Sequence, residues 1–127
     1  VSGMDAGKIY NTWPLMGSSY FPDDSIISDF FYLTVFDDQS IVQFIHRKLA
    51  YIILLYVLVI SFLTFYKKNK EMYNSVYFLL AMIFIQIILG IFTLLSGAYI
   101  LIASLHQIST ILLLISSIYF YYKSLKT

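Results

Sequence analysis

No cysteine occurs in the 127 residues. That excludes disulfides, iron–sulfur clusters and thiolate zinc sites. Charge is scarce: Asp, Glu, Lys and Arg together make up 12% of the chain and nearly cancel, at a formal +1. No basic cluster is interleaved with aromatics in the way a phosphate backbone requires, so nucleic acid is not an expected partner. There are only two prolines, Pro14 and Pro22, and they mark 11–22 as loop. Glycine-rich phosphate loops, nucleophile elbows and HExxH patterns are absent. Apolar side chains are abundant instead: 60% of residues are hydrophobic and 19% aromatic, with a mean hydropathy of +0.80. A soluble domain of this size could not hide so much apolar surface. The length allows one domain at most.

Three segments reach the roughly 20 apolar residues that a bilayer span needs. They cover 40–66, 72–95 and 99–122. A charged turn, Lys67-Lys68-Asn69-Lys70-Glu71, separates the first two, and Ser96-Gly97 is a glycine stop for the second. Short connections imply antiparallel neighbours. The expected fold class is therefore an all-α membrane protein with three transmembrane helices in 40–127, preceded by a loop region in 1–39. Within that region, 1–7 reads as the tail of a helix lying upstream. The stretch 26–36 has apolar residues at helical spacing between aspartates and reads either as an amphipathic segment on the membrane surface or as a loop packed on the helix ends. Nothing near Val1 resembles a signal peptide, and the chain reads as a fragment or as one lacking its beginning.

Lys67, Lys68 and Lys70 share one membrane side with Lys123 and Lys126. Asp5, Asp23, Asp24, Asp29, Asp37 and Asp38 lie on the other. The positive-inside rule places the lysine side in the cytoplasm or matrix.

The chain has two histidines. His46 lies roughly 9 Å into the first span and His106 roughly 10 Å into the third, at 1.5 Å per residue. Both spans start from the aspartate side, so the two imidazoles share one depth. Polar groups inside a bilayer are costly and usually functional. Two histidines at matching depth on parallel helices suit axial ligation of one haem iron from opposite faces. The alternatives are histidines bonded to a neighbouring helix and a proton relay, for which the apolar spans offer no carboxylate. Gln86, Gly90, Thr93 and Gly97 fall on one face of the middle span, where small and polar residues admit a flat ligand or another backbone. Ser109 and Thr110 stand one turn beyond His106, in reach of it or of their own helix backbone. Arg47 can pair with haem propionates or, like Lys48, extend to lipid headgroups.

These residues carry a resemblance. Val42-Gln43-Phe44-Ile45-His46-Arg47 resembles the QF-x-HR motif of the haem A synthase family, and Tyr10-Asn11-Thr12-Trp13-Pro14-Leu15-Met16 resembles its YNTWPLM loop. Gln86 through Leu89-Gly90, Thr93-Leu94-Leu95-Ser96-Gly97 and Leu105-His106-Gln107 resembles its last two helices. The matches run in order over nearly the whole chain, and the loop resembles the branch found in mitochondria and α-proteobacteria. The family fold is two pseudosymmetric four-helix halves, and the resemblance is to the C-terminal half without most of its first helix. It implies a b-type haem as cofactor, with His46 and His106 as axial ligands and Arg47, Gln43, Gly90 and Thr93 as candidate cofactor-binding residues. It implies no catalytic residue in this chain. The family oxidises the C8 methyl of haem O to a formyl group, giving haem A for cytochrome oxidase, and the substrate haem and the acting carboxylate belong to the N-terminal half. Expected partners are membrane lipid, that N-terminal half, haem O synthase and an electron donor. The expected location is a bacterial plasma membrane or the mitochondrial inner membrane. A small b-type membrane cytochrome and a cofactor-free structural subunit are the competing readings.

Overall fold

The computed structural model describes residues 1–26 and 36–126. The stretch 26–36, read from sequence as a surface segment, lies almost wholly outside them. Among the described residues the regular structure is helical: two 3-10 turns at Ser2–Met4 and Ala6–Lys8, then α1 (Gln39–Tyr66), a 3-10 turn at Lys70–Met72, α2 (Tyr73–Leu95) and α3 (Ile100–Ser124). An isolated bridge between Met16 and Ser19 is the one extended pairing among those residues. All three α-helices are long and apolar enough to cross a membrane.

The ends of the helices follow local chemistry. Asp38 caps α1: its Oδ1 accepts from the backbone N–H of Ser40 at 2.8 Å and of Ile41 at 3.1 Å, satisfying two donors that have no partner inside the helix. This cap starts α1 one residue ahead of the apolar run. At the end of α2, Gly97 takes a φ of +66°, a conformation that costs glycine little. Its N–H bonds to the Leu94 carbonyl at 3.1 Å, and that of Ala98 bonds to the Thr93 carbonyl at 2.8 Å. That pair of bonds closes the helix as a Schellman motif.

The helices pack through small residues. Ser61, Thr64, Ser75, Ser109 and Ser116 are buried. Ser61, Thr64, Ser75 and Ser116 each donate to a carbonyl three or four residues earlier, at 2.7–2.8 Å. A hydroxyl satisfied on its own helix lets a second backbone approach, which is how helices associate where lipid removes the hydrophobic drive. α2 lies along α3 over a long contact and meets α1 over a shorter one. The apolar core, Val57 with Leu79 and Ile83, gathers Leu54, Ile60, Leu113 and Phe120 from the flanking helices. It sits toward the lysine-bearing end. Most large apolar side chains of the three helices face outward, as a lipid-facing surface requires.

At the aspartate end the loop 10–25 folds back onto α1. The Tyr10 hydroxyl donates to Asp24 Oδ1 at 2.8 Å, and the Ser40 hydroxyl donates to Asp24 Oδ2 at 2.8 Å. Asp23 accepts from the Ser18 N–H at 2.8 Å and from the Ser18 hydroxyl at 2.9 Å. A side chain at Gly17, whose φ is +79°, would collide with that carboxylate. Phe21 meets Phe44 of α1 edge-on with ring centres 5.2 Å apart.

Candidate functional site

Away from the core, a cleft of about 620 Å³ opens at the aspartate end. Its walls include Gly7 and Lys8 of the N-terminal turn, His46 of α1, Thr93 of α2, and Ala103, His106 and Gln107 of α3. The volume lies in the usual range for small-molecule and cofactor sites.

His46 and His106 meet across it. Their ring centres are 6.5 Å apart, with the ring planes at 84° to each other. A metal–imidazole bond is about 2 Å and the ring centre lies about 1.2 Å behind the bonded nitrogen, so two imidazoles on opposite faces of one iron hold their centres about 6.4 Å apart. On that centre-to-centre distance the two residues fit a shared iron.

The surroundings of His106 are tighter than those of His46. A methyl group added at Gly90 would stand 3.0 Å from His106 Cε1 and 3.6 Å from Nδ1, so the imidazole rests against the backbone of α2. Gln86, one turn earlier, reaches His106 Nδ1 with its amide nitrogen at 3.2 Å. Thr93 lines the cleft and donates its hydroxyl to the Leu89 carbonyl at 2.7 Å. Ser109 and Thr110 take the second of the options the sequence allowed, bonding their own helix backbone, and reach the His106 ring only through Gln86. Each lies within hydrogen-bond distance of the His106 carbonyl, at 2.9 and 3.0 Å, and each also meets the Gln86 amide.

Arg47 and Gln43 stand elsewhere. The Arg47 guanidinium donates to the Leu15 carbonyl at 3.1 Å and to the Tyr10 carbonyl at 2.9 Å, and the Gln43 amide donates to that same Tyr10 oxygen at 3.1 Å. They hold the loop 10–25 against α1, and neither side chain lines the cleft. Two of their polar atoms, Gln43 Oε1 and Arg47 Nε, are buried without a hydrogen-bond partner. Lys48 extends over the Phe44 ring, 4.9 Å from its centre, and lies 5.8 Å from the ring centres of Tyr20 and Tyr51, within cation–π range. The cation that lines the cleft is Lys8, paired at its exposed rim with Asp5 at 2.9 Å.

The sequence places Gln86 on the helical face that admits a flat ligand but gives no contact between it and His106. Its signal was present, a long amide within an apolar span, yet the partner across the helix interface is a tertiary fact. Lys8 had no signal beyond its charge.

Fold and site together define a multi-pass helical membrane protein with two imidazoles facing each other at one end of the bundle. Residues 1–118 match the family model described as cytochrome oxidase assembly protein. The chain is 42% identical to the haem A synthase of Pelagibacter ubique over 98% of its own length and 36% of the relative's. It is 42% identical to that of Wolbachia pipientis (94% and 33%) and 38% identical to that of Rickettsia africae (96% and 36%). The chain belongs to this haem A synthase family. It spans about a third of the length of these curated relatives. No solved structure matches it.

Proposed function

We propose that this chain is the part of a haem A synthase that holds a b-type haem, with His46 and His106 as its two axial ligands. The observation that carries the reading is the 6.5 Å separation of the two imidazole centres across a cleft, close to what one shared iron demands. Gly90 leaves room for His106, and Thr93 adds a short wall. Lys8 at the rim suits a propionate carboxylate. Arg47 and Gln43 serve the site through the loop they hold over the end of α1. A haem held by His46 and His106 would supply one-electron transfer. For the whole protein, the activity proposed is oxidation of the C8 methyl of haem O to the formyl group of haem A, which cytochrome oxidase uses. The substrate haem and the acting carboxylate belong to residues outside this chain, corresponding to the family's N-terminal half. Haem O synthase is the proposed source of substrate, alongside an electron donor. The 42% identity to named synthases along nearly the whole chain favours this over a stand-alone b-type carrier.

The test is the optical spectrum of the native gene product in membranes. A low-spin bis-histidine signal is expected, and it should disappear in His46→Ala and in His106→Ala. Haem b content unchanged by both substitutions would overturn the assignment.

A further inference from the structure

Gln86 occupies the one position from which a side chain of α2 reaches the edge of the His106 ring and the next turn of α3 together. Its Nε2 lies 3.2 Å from His106 Nδ1, 3.2 Å from the His106 carbonyl oxygen and 2.8 Å from Thr110 Oγ1, while its Oε1 lies 2.5 Å from Ser109 Oγ. An amide nitrogen only donates. With the amide nitrogen toward the ring, Nδ1 would have to accept and the ring proton would sit on Nε2. Nδ1 is covered by the amide, so Nε2 is the atom left to bond a metal. It can do so only after giving up its proton to leave a neutral ligand protonated at Nδ1.

Turning the Gln86 amide over by 180° reconciles the two requirements. Oε1 then accepts from Nδ1–H and from the Thr110 hydroxyl. Nε2 donates to Ser109 Oγ, and the Ser109 hydroxyl donates to the His106 carbonyl, 2.9 Å away. The opposed cost is that Oε1 now faces that same carbonyl oxygen. Every other polar atom keeps a partner, because both neighbours are hydroxyls, which donate or accept as needed. A lysine or arginine in place of either hydroxyl would lock the amide in one orientation; serine and threonine leave it reversible.

Granted the haem reading above, we infer that Gln86 is a positioning residue that sets the tautomer of His106: with its amide oxygen toward the ring it accepts from Nδ1–H, leaves Nε2 for the iron and strengthens the ligand. A stronger acceptor at Nδ1 makes the imidazole a better donor and favours ferric iron.

The experiment uses the native gene product purified with its haem, comparing Gln86→Glu and Gln86→Met by haem content, midpoint potential and the low-spin electron paramagnetic resonance signal. Gln86→Glu keeps an acceptor and no donor. It is expected to retain haem and to shift the ferric-to-ferrous ratio about tenfold toward ferric, equivalent to about 59 mV for a one-electron couple. Gln86→Met keeps volume without an acceptor. It is expected to shift that ratio several-fold toward ferrous and to move the largest g value as the ring reorients. Wild-type potential and g values in both variants would overturn the role of Gln86, as would equal loss of haem from both, since only Glu preserves the acceptor. Loss of haem from Gln86→Met alone supports it. Absence of haem from the unaltered protein, or normal haem in His106→Ala, would instead strike the haem reading itself and the inference with it.

Discussion

The His106 imidazole lies against a backbone that carries no side chain. At Gly90 an added methyl would press on Cε1 from 3.0 Å, and overpacking by one carbon costs about 1–3 kcal/mol. Helix propensity pushes the other way, favouring alanine over glycine by about 1 kcal/mol. The expected outcome for Gly90→Ala is therefore a protein at least as helical as the parent whose haem b affinity falls about tenfold, measured by haem titration alongside circular dichroism. At this scale the histidines were legible because they are the chain's only two and sit in apolar spans. The role of Arg47 was not. A guanidinium beside a histidine near a membrane face reads equally well toward a propionate or toward lipid, and its bonds to the Leu15 and Tyr10 carbonyls depend on a loop folding back over some thirty residues of sequence.

Among the elements, that loop is the segment whose docking rests on few groups. Bonds from a charged donor contribute about 1.5–3 kcal/mol, and the planar fork of arginine spans two carbonyls that a lysine cannot. Arg47→Lys is therefore expected to behave like Arg47→Ala, with cleavage inside 10–25 by added protease accelerating about tenfold in proteoliposomes. Acid acts on the same docking through Asp24. Partial burial raises its carboxyl, but the hydroxyls of Tyr10 and Ser40 outweigh this and hold it below the usual carboxylate value. A lowered folded value means that the contribution is complete above the ordinary value of about 3.9 and is lost as pH falls through the lowered one. Protease sensitivity of the loop should thus stay flat from neutral pH to about 5 and rise below about 4, and Asp24→Asn should show the acid level of sensitivity at neutral pH. The three long helices and the end of α2 were legible in sequence because apolar runs and a glycine stop are local signals, whereas the Asp38 cap that starts α1 at Gln39 was not read there. How closely each helix packs on the next was not, because it depends on where buried hydroxyls such as Ser75 and Ser116 meet a facing backbone.

For the molecule as a whole, the lysines of the α1–α2 turn and of the C-terminus lie at one end and the loop 10–25 lies at the other. These 127 residues hold no cysteine, so single cysteines introduced into them report their sidedness. Lys68→Cys is expected to react with a membrane-impermeant maleimide only from the cytoplasmic or matrix face, and Ser18→Cys only from the opposite face. The reverse pattern would invert the proposed topology.

The uneven packing of the three helices has a thermodynamic consequence. His106 and Gln86 belong to the closely packed pair α2 and α3, while His46 rides on α1, which joins α2 through a shorter contact and is tied at its start by the loop. A ligand gripped by both histidines acts as a cross-link between a stiff unit and a looser one. By mass action such a cross-link adds about 2.7 kcal/mol of stability at a hundredfold excess over its dissociation constant. If the two histidines share a haem as proposed, the melting temperature of the protein in detergent should rise with added haem, and that rise should be lost in His46→Ala.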